Sequence, residues 1–341
     1  MSFSYCLRAS GRSARVALVF AASLAVGGCW SLDGMTTTGV AAPGRAALER
    51  DPTLLVATTR RPADNPAQKP WFTSQRGQGL AFAEAKLAPP DRSLTGRVAS
   101  VVTGDWAVAT VDSVQEQGGA RAFAEAALGK DVLLFVHGYR ETFETAALAA
   151  AQLSAGVRFS GATGLFTWPS AASTFNYGYD RESAMWSRDA LEELLMALAQ
   201  SPSGGRIHIV AHSMGTLLTL ETLRMLRAAG GESVMSRIGA VVLAAPDIDI
   251  DLFTSSVERL GTDARKITVI SATNDRALAL SSRIAGGVIR AGAAERERLE
   301  ALGVRVADAS EFAGGIINHD LFLSNVDVQQ VVKRAIERER G

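Results

Sequence analysis

Short apolar runs alternate with amphipathic segments along this chain from residue 52 onward. A short, continuous apolar run bounded by polar residues is typical of a strand buried on both faces of a sheet. Such runs predict strands at residues 54–59, 131–136, 164–168, 207–211, 238–244, 266–271 and 304–307, with weaker candidates at 80–87 and 97–102. Apolar residues spaced along one helix face predict helices over residues 141–157, 180–199, 216–226 and 326–337.

The regular alternation of strand and helix predicts the fold class. It favours an α/β architecture with a mostly parallel central sheet and helices on both faces, because parallel strands need a crossover connection. We expect one such domain over residues 51–341, which is long enough to bury a sizeable core. Ligands in these sheets bind beyond the carboxyl ends of the strands. The residues directly after each strand are therefore the candidates for chemistry.

The residues before this domain follow a different pattern. Arginines precede an apolar run at 16–26, and small residues follow it up to Cys29. This order is typical of an export signal, and the run is too short to span a bilayer comfortably. Residues 26–29 (VGGC) resemble the lipobox of bacterial lipoproteins, whose cysteine carries lipid after cleavage. We therefore expect a lipoprotein-type signal peptide at 1–28, lipid on Cys29 and a flexible tether at 29–50. An ordinary signal peptide cleaved a few residues later is the alternative.

Composition and charge narrow the choice of partners. The chain has 35 basic and 35 acidic residues, so no basic excess is available to neutralise nucleic-acid phosphates. Its two cysteines are Cys6 and Cys29, and cleavage of the signal would remove Cys6, which leaves neither a disulfide nor a cysteine-ligated metal. We expect an exported protein, held to a membrane of the bacterial cell envelope by its N-terminal lipid, on the periplasmic side or at the cell surface.

Ser213 is the first candidate for chemistry. It lies at the centre of residues 211–215 (AHSMG), between a strand and a helical pattern, which is the context that holds a nucleophilic serine on a strained turn. Small residues two positions on either side let the strand and the helix approach closely. Here they are Ala211, in place of the usual glycine, and Gly215. The alternative is a helix that happens to begin with a serine.

A second motif, residues 137–139 (HGY), directly follows the strand that ends at Val136. A glycine permits a sharp turn there, and an N–H group just beyond such a strand can face a developing oxyanion. We assign the two oxyanion donors to the backbone N–H groups of Tyr139 and Met214, the latter being the residue after the candidate nucleophile. The alternative is a turn in which His137 only packs or forms local hydrogen bonds.

The general base follows by elimination among four histidines. His208 alternates with isoleucines inside a strand, which indicates a core residue. His212 immediately precedes the candidate nucleophile and is expected to point away from it, and His137 belongs to the oxyanion motif. His319 remains, in a loop after the last strand and before the closing helix. We therefore expect His319 to be the base.

Asp275 is the favoured orienting carboxylate. It follows the strand at 266–271, and the chain order nucleophile, acid, histidine then holds. Asp247, one strand earlier, is the alternative. Asp249 and Asp251 alternate with Asp247 as in some metal loops, but the glycine and the distal glutamate of a calcium loop are missing. We therefore expect no metal and read these two aspartates as part of a solvated face.

The segment 168–180 (WPSAASTFNYGYD) lies after another predicted strand. Its aromatic residues either line an acyl or leaving-group pocket or pack as part of an ordinary surface loop. Asp180, at its end, is expected to cap the helix that follows.

Together these segments resemble the α/β-hydrolase superfamily and, within it, the esterase/lipase-like "domain of unknown function 900" family of bacterial proteins. The matching segments are residues 135–139 (FVHGY), 167–170 (TWPS), 179–183 (YDRES), 187–191 (SRDAL), 211–215 (AHSMG), 271–278 (SATNDRAL) and 318–320 (NHD). The resemblance extends over about residues 52–335. It implies an α/β-hydrolase sheet and a triad of Ser213, Asp275 and His319, but it supplies no substrate.

The expected function is serine hydrolysis through an acyl-enzyme, with no cofactor and no metal. A carboxylic ester, either a small molecule or a lipid, is the favoured substrate, because ester cleavage demands least protonation of the leaving group. Amidase, thioesterase and acyltransferase reactions use the same groups and stay open. The alternative from another class is a catalytically silent envelope-binding lipoprotein that kept the fold.

Overall fold

The computed structural model describes residues 52–65, 69–88, 106–202, 204–312 and 321–340. Several expectations lie outside these residues: the signal peptide at 1–28, the lipidated Cys29, the tether at 29–50, the weak strand at 97–102 and the candidate base His319.

The described strands form one nine-stranded sheet in which most neighbouring strands are parallel. They are β1 (Thr53–Pro62), β2 (Phe72–Ala88), β3 (Ala107–Gln115), β4 (Val132–Val136), β5 (Ala162–Thr167), β6 (Ile207–His212), β7 (Ile238–Ala244), β8 (Ile267–Ser271) and β9 (Arg305–Asp308). Their order in the sheet is β3-β2-β1-β5-β4-β6-β7-β8-β9. The β1–β2 and β2–β3 pairs are antiparallel, and all the other neighbouring pairs are parallel. The predicted mostly parallel sheet is confirmed.

Helices lie between most of the consecutive strands and after the last one. They are α1 (Gly119–Ala126), α2 (Phe143–Val157), α3 (Tyr177–Trp186), α4 (Arg188–Gln200), α5 (Met214–Met235), α6 (Ile250–Leu260), α7 (Arg276–Ile284), α8 (Arg296–Glu300), α9 (Leu321–Ser324) and α10 (Val326–Arg338). Short 3₁₀ turns occupy Gly261–Lys266, Ala291–Ala293 and Ser310–Phe312. None of the helices in the described ranges is long and apolar enough to cross a membrane.

Each face of the sheet carries its own apolar cluster. In β4, Val132, Leu134 and Val136 belong to one cluster, whereas Leu133 and Phe135 belong to the other, because successive strand residues point to opposite faces. Helices α1, α4, α5 and α6 supply the first cluster, and α2 and α10 supply the second. Helices on both faces are therefore confirmed, and the continuous apolar runs of the sequence are explained by burial from both sides.

The structure corrects one predicted helix. The segment expected to form a single helix over residues 180–199 forms two, α3 and α4, which meet at Ser187. The Ser187 hydroxyl donates to the Ser183 carbonyl oxygen (2.8 Å) and accepts from the Thr59 hydroxyl of β1 (2.8 Å). Thr59 and Ser187 are 128 positions apart in the sequence. The spacing of leucines within the segment therefore could not predict the break at Ser187.

Candidate active site

Ser213 lies at a strained turn between β6 and α5. Its backbone has φ 49° and ψ −119°, in the left-handed half of the map that a residue with a Cβ rarely adopts. Its N–H donates to the Ala244 carbonyl oxygen (2.9 Å), and its own carbonyl oxygen accepts from the Thr216 N–H (3.0 Å). Such strain persists only where the surroundings hold it, and it marks functional sites. The strand–turn–helix context predicted for this serine is therefore present.

Strained backbone is common at this edge of the sheet. Three more non-glycine residues with positive φ lie on loops that leave the carboxyl ends of neighbouring strands: Arg140 (66°), Ala172 (53°) and Ala245 (46°). These loops follow β4, β5 and β7, which surround the turn that carries Ser213. The concentration of strained residues agrees with the general rule that ligands bind at this edge.

Two glycines explain how closely the loop after β4 approaches the turn. A Cβ on Gly215 would collide with the His137 carbonyl oxygen, and a Cβ on Gly138 would lie 3.0 Å from the Cβ of Ser213. Both glycines are therefore needed for the contact itself rather than for an unusual φ. The requirement for a small residue at position 215, predicted from the motif, has this backbone contact as its physical cause.

The Gly215→Ala variant should be less stable than the wild type by about 1–3 kcal/mol, since the new methyl group meets backbone that cannot rotate away. The free energy of unfolding in urea measures the loss. The matched control is Gly79→Ala, because a Cβ at Gly79 meets nothing within 4 Å. Equal stability of the two variants would contradict the close approach at position 215.

Two backbone N–H groups flank this contact. Tyr139 follows Gly138, and Met214 follows Ser213 as the first residue of α5, where a helix N–H has no acceptor within the helix. Within the described ranges, neither N–H donates a hydrogen bond to another residue of the chain. Fixed donors of this kind, directed at one point, are what an oxyanion requires.

His137 fastens the loop rather than serving as a base. It is fully buried, its Nδ1 donates to the Gly138 carbonyl oxygen (2.8 Å), and its Nε2 accepts from the Trp168 N–H (3.1 Å). Burial, assisted by the positive charge of Arg60, holds the pKa of His137 well below its usual value, so the ring is neutral. Its ring stacks on the Trp168 indole at 4.7 Å. The loops after β4 and β5 are thereby joined.

Of the other two described histidines, His208 is also unsuited to proton transfer at the turn. His208 is buried, its Nδ1 accepts from the Ala240 N–H (3.1 Å), and burial lowers its pKa to about 4. It is the core residue that the sequence predicted. The His212 ring packs on the Phe322 ring, with 4.9 Å between the ring centroids.

Asp275 caps the helix that follows β8. Its Oδ1 accepts from the N–H groups of Ala277 (2.8 Å) and Leu278 (3.2 Å), and its own N–H donates to the Ala272 carbonyl oxygen (3.1 Å). The side chain is buried. These bonds hold the carboxylate in one position at the carboxyl end of β8, and the helix N-terminus favours its negative charge.

Asp247, the alternative acid, lies closer to the turn but is enclosed by other partners. Its N–H donates to the Ser213 carbonyl oxygen (3.3 Å). Its carboxylate lies 3.2 Å from Nε of the buried Arg290, accepts from the Tyr177 hydroxyl (2.9 Å) and also accepts from the Ser281 hydroxyl. The Asp247 carboxylate therefore has a buried cation and two hydroxyl groups as its neighbours.

The other two aspartates of this loop, Asp249 and Asp251, cap a helix and form a surface ion pair. Asp249 caps α6 by accepting from the N–H groups of Asp251 (2.9 Å) and Leu252 (3.0 Å), and the exposed Asp251 pairs with Arg298 (2.7 Å). Among the residues that the structure describes, no group of three or more His, Cys, Asp and Glu side chains is arranged to hold a metal ion.

The aromatic segment after β5 divides into buried and exposed parts. Trp168 is fully buried against His137 and cannot line a pocket, whereas Phe175 is 94% exposed. Between these extremes, the rings of Tyr139 and Tyr177 meet edge to face at 5.4 Å. Tyr177 of this segment therefore lies next to Tyr139 and, through its hydroxyl, next to Asp247.

Sequence reasoning missed two residues at this site, Arg60 and Asp180. Asp180 was expected to cap a helix, but Asn176 precedes α3 and Asp180 is a buried residue within its first turns. Arg60, in β1, is also buried. The signal for Asp180 was its presence in the segment 179–183 (YDRES) that carries the family resemblance, whereas nothing in the sequence around Arg60 set it apart.

A family comparison decides the class of protein. The family described as "Alpha/beta hydrolase of unknown function (DUF900)" matches residues 116–338, more than half of the chain. The chain belongs to this α/β-hydrolase family. The match includes Ser213 and both candidate acids, and the sheet order with helices on both faces agrees with it. Among curated proteins, none matches the sequence.

Several solved structures are similar at low identity. An uncharacterised protein from Bacillus cereus is 14% identical, with 62% of this chain and 60% of that chain covered and a TM-score of 0.41. An α/β serine hydrolase without a lid, from Xanthomonas campestris, is 12% identical, with coverage of 75% and 89% and a TM-score of 0.37. Naproxen esterase from Bacillus subtilis is 9% identical, with coverage of 84% and 91% and a TM-score of 0.38. The DUF900 chain thus spans about three fifths of the length of the Bacillus cereus protein.

Proposed function

We propose that this DUF900 protein is a serine hydrolase in which Ser213 is the nucleophile, His319 the general base and Asp275 the orienting acid. The observation that carries the proposal is the strained turn at Ser213, pressed against Gly138. Tyr139 and Met214 directly follow these two residues in the chain, at the carboxyl edge of the sheet. A serine hydroxyl beside two backbone N–H donors is the arrangement that acyl transfer needs.

The residues on either side of the loop that holds His319 support its assignment. Before the loop, the Ser310 carbonyl oxygen accepts from Asn274 Nδ2 (3.3 Å), directly beside Asp275. After the loop, the Phe322 ring packs on His212, the residue before the nucleophile.

Residues 313–320 therefore connect a residue that contacts the neighbour of the proposed acid with a residue that contacts the neighbour of the proposed nucleophile. His319 is three residues before Phe322, and three extended residues span at most about 10–11 Å. His137 and His208 are neutral and engaged elsewhere, and His319 is the base that we assign.

We choose Asp275 over Asp247 as the acid on the basis of their partners. The Asp247 carboxylate is held by a buried arginine and two hydroxyl groups. Asp275 instead follows β8, so that the chain order nucleophile, acid, histidine holds, and its Oδ1 accepts hydrogen bonds from two helix N–H groups. We assign its Oδ2 to Nδ1 of His319, where it would hold the imidazole tautomer and stabilise the imidazolium.

The proposed reaction proceeds in two halves. Ser213 Oγ attacks the substrate carbonyl carbon while His319 takes its proton, and the N–H groups of Tyr139 and Met214 stabilise the negative oxygen of the tetrahedral intermediate. The intermediate collapses with His319 returning the proton to the leaving group, which leaves an acyl-enzyme. Water, deprotonated by the same histidine, then releases the acid and restores the serine.

A carboxylic ester is the substrate class that this arrangement fits best. An alkoxide leaves more readily than an amide nitrogen, so ester cleavage depends less on protonation of the leaving group by His319. Thioester and amide cleavage, or transfer of the acyl group to an acceptor other than water, would use the same groups.

The test is covalent labelling with a fluorophosphonate probe, which reacts with an activated serine. The wild type should be labelled on the peptide that contains Ser213, and Ser213→Ala should not be labelled. Ser154→Ala is the matched control, because Ser154 is also buried but pairs with Thr163 at the opposite edge of the sheet. Folded wild-type protein that resists the probe would instead support a binding protein without catalytic activity.

A further inference from the structure

Arg60 and Asp180 are buried ionisable residues that the proposed mechanism does not use. Their exposed fractions are 2% and 0%. Charged side chains are rarely buried to this degree unless hydrogen bonds compensate them fully. Their partners therefore indicate what the pair holds in place.

Asp180 accepts hydrogen bonds from two separate loops. Its Oδ2 accepts from the Arg140 N–H (3.1 Å) and from the Ser170 hydroxyl (2.5 Å), and its Oδ1 accepts from the Ala171 N–H (2.7 Å). Arg140 belongs to the loop after β4, and it is one of the residues with strained, positive φ (66°). The carboxylate thus binds the strained peptide group directly.

Arg60 approaches the same two loops from β1. Its Nη2 donates to the Glu141 carbonyl oxygen (2.7 Å), its Nη1 donates to the Ser170 carbonyl oxygen (3.3 Å), and its Nε donates to the Thr167 hydroxyl (2.9 Å). Although burial lowers the pKa of Arg60 to about 10, the group stays protonated at neutral pH. The guanidinium supplies several donors in a fixed plane, which a flexible ammonium group would not.

The two side chains act on consecutive residues of one loop and on a single residue of the other. Asp180 binds the N–H of Arg140, Arg60 binds the carbonyl oxygen of Glu141, and both bind Ser170. We call this arrangement the loop clamp. The loop clamp holds the two residues that directly follow Tyr139, the residue that carries the proposed oxyanion donor.

We propose that Arg60 and Asp180 are positioning residues that hold the N–H of Tyr139 at the oxyanion site. This inference rests on the proposed function. A donor stabilises a transition state only if it is fixed before the reaction, since reorienting it during the reaction would consume the gain. The strained backbone at Arg140 would relax without its carboxylate partner, and the neighbouring N–H would lose its direction.

The variant that tests the clamp is Asp180→Asn. All three groups around this carboxylate are donors, so an amide of the same shape must turn its NH₂ group toward at least one of them. We expect kcat for an activated ester to fall by about 10²-fold, at the lower end of the loss of one oxyanion donor, with KM changed less than about threefold. The affinity for a trifluoromethyl ketone, whose bound oxygen mimics the oxyanion, should fall by the same factor as kcat/KM.

Asp263→Asn is the matched control. Asp263 is also buried, and it pairs with Lys266 (2.8 Å) and with Arg227 in a turn at the amino end of β8. This variant should be less stable in urea but should keep the wild-type kcat per folded molecule. If Asp180→Asn retains kcat, or if both variants lose it equally, the proposal is overturned.

A second variant keeps the test decisive if Asp180→Asn does not fold. Arg60→Lys retains the positive charge but cannot reach Thr167, Ser170 and Glu141 together. It should show the same loss of kcat with little change in KM, and unchanged kcat would overturn the proposal. The rate of fluorophosphonate labelling distinguishes failure of the proposed hydrolase from failure of the proposed loop clamp. A wild type that is not labelled refutes the hydrolase itself, whereas a labelled wild type with equally fast Asp180→Asn labelling refutes only the clamp.

Discussion

Ser213→Ala should lower kcat for ester hydrolysis by about 10⁵- to 10⁶-fold, and His319→Ala should lower it by a similar factor. Neither group is useful alone, because the hydroxyl needs a base to lose its proton and the base needs a nucleophile to activate. The double variant should therefore be no slower than either single variant. Residual turnover would come from the backbone donors and from binding. Steady-state kinetics on an activated ester measure all three proteins.

Two measurements distinguish a loss of catalytic activity from a loss of folded protein. Ser213→Ala keeps a Cβ on the strained turn, so its free energy of unfolding should stay close to that of the wild type. Ser154→Ala, far from the turn, should keep full activity. Effects of Ser213→Ala and His319→Ala that multiply in the double variant would mean that the two residues act independently, which a shared proton transfer does not allow.

The second large effect concerns the acid. Asp275→Asn should lower kcat by about 10⁴-fold, because an amide neither stabilises the imidazolium nor holds the correct tautomer. Stability should change little, since asparagine is as good a helix cap as aspartate and the N–H groups of Ala277 and Leu278 keep an oxygen acceptor. Turnover and urea unfolding, measured on the same preparation, should therefore report a large kinetic loss without a stability loss.

Asp247→Asn should behave in the opposite way. Removing the negative charge leaves Arg290 buried without its ion partner, which is expected to destabilise the fold by about 3–5 kcal/mol. The turnover of the molecules that remain folded should be within about tenfold of the wild type. Should Asp247→Asn lose turnover while Asp275→Asn keeps it, the assignments of the two aspartates must be exchanged.

Much of the fold was predictable from local patterns. The strand at β7 has the bounds expected from its apolar run, and the other central strands differ by only a few residues. Continuous apolar runs reflect burial on both faces, which depends on the run itself and not on its partners. The elements that escaped prediction include β3, α1, α6 and α7. The form of such elements also depends on what they pack against, which a local pattern does not give.

In the candidate site, too, residues with a local sequence signal were predictable and residues defined by distant contacts were not. Ser213 was identified because its signal, a strand, a turn and a helix with small flanking residues, is contained in a short stretch of chain. Asp180 was misjudged as a cap because its partners are contributed by other loops, 9 to 40 positions away. Arg60 donates to loop residues Glu141 and Ser170, which lie 81 and 110 positions away, and no local pattern marks such contacts.

By itself, the sequence determined the α/β architecture, the family and the residue types that acyl transfer needs, since each of these is written in local periodicity or in a compact motif. Only the tertiary structure decided which loops meet: Gly138 against Ser213, Arg290 on Asp247, and two buried charges on the peptide groups beside Tyr139. The physical reason is that burial and charge pairing are properties of neighbours in space, which become neighbours only when the parallel strands bring their carboxyl ends to one edge of the sheet.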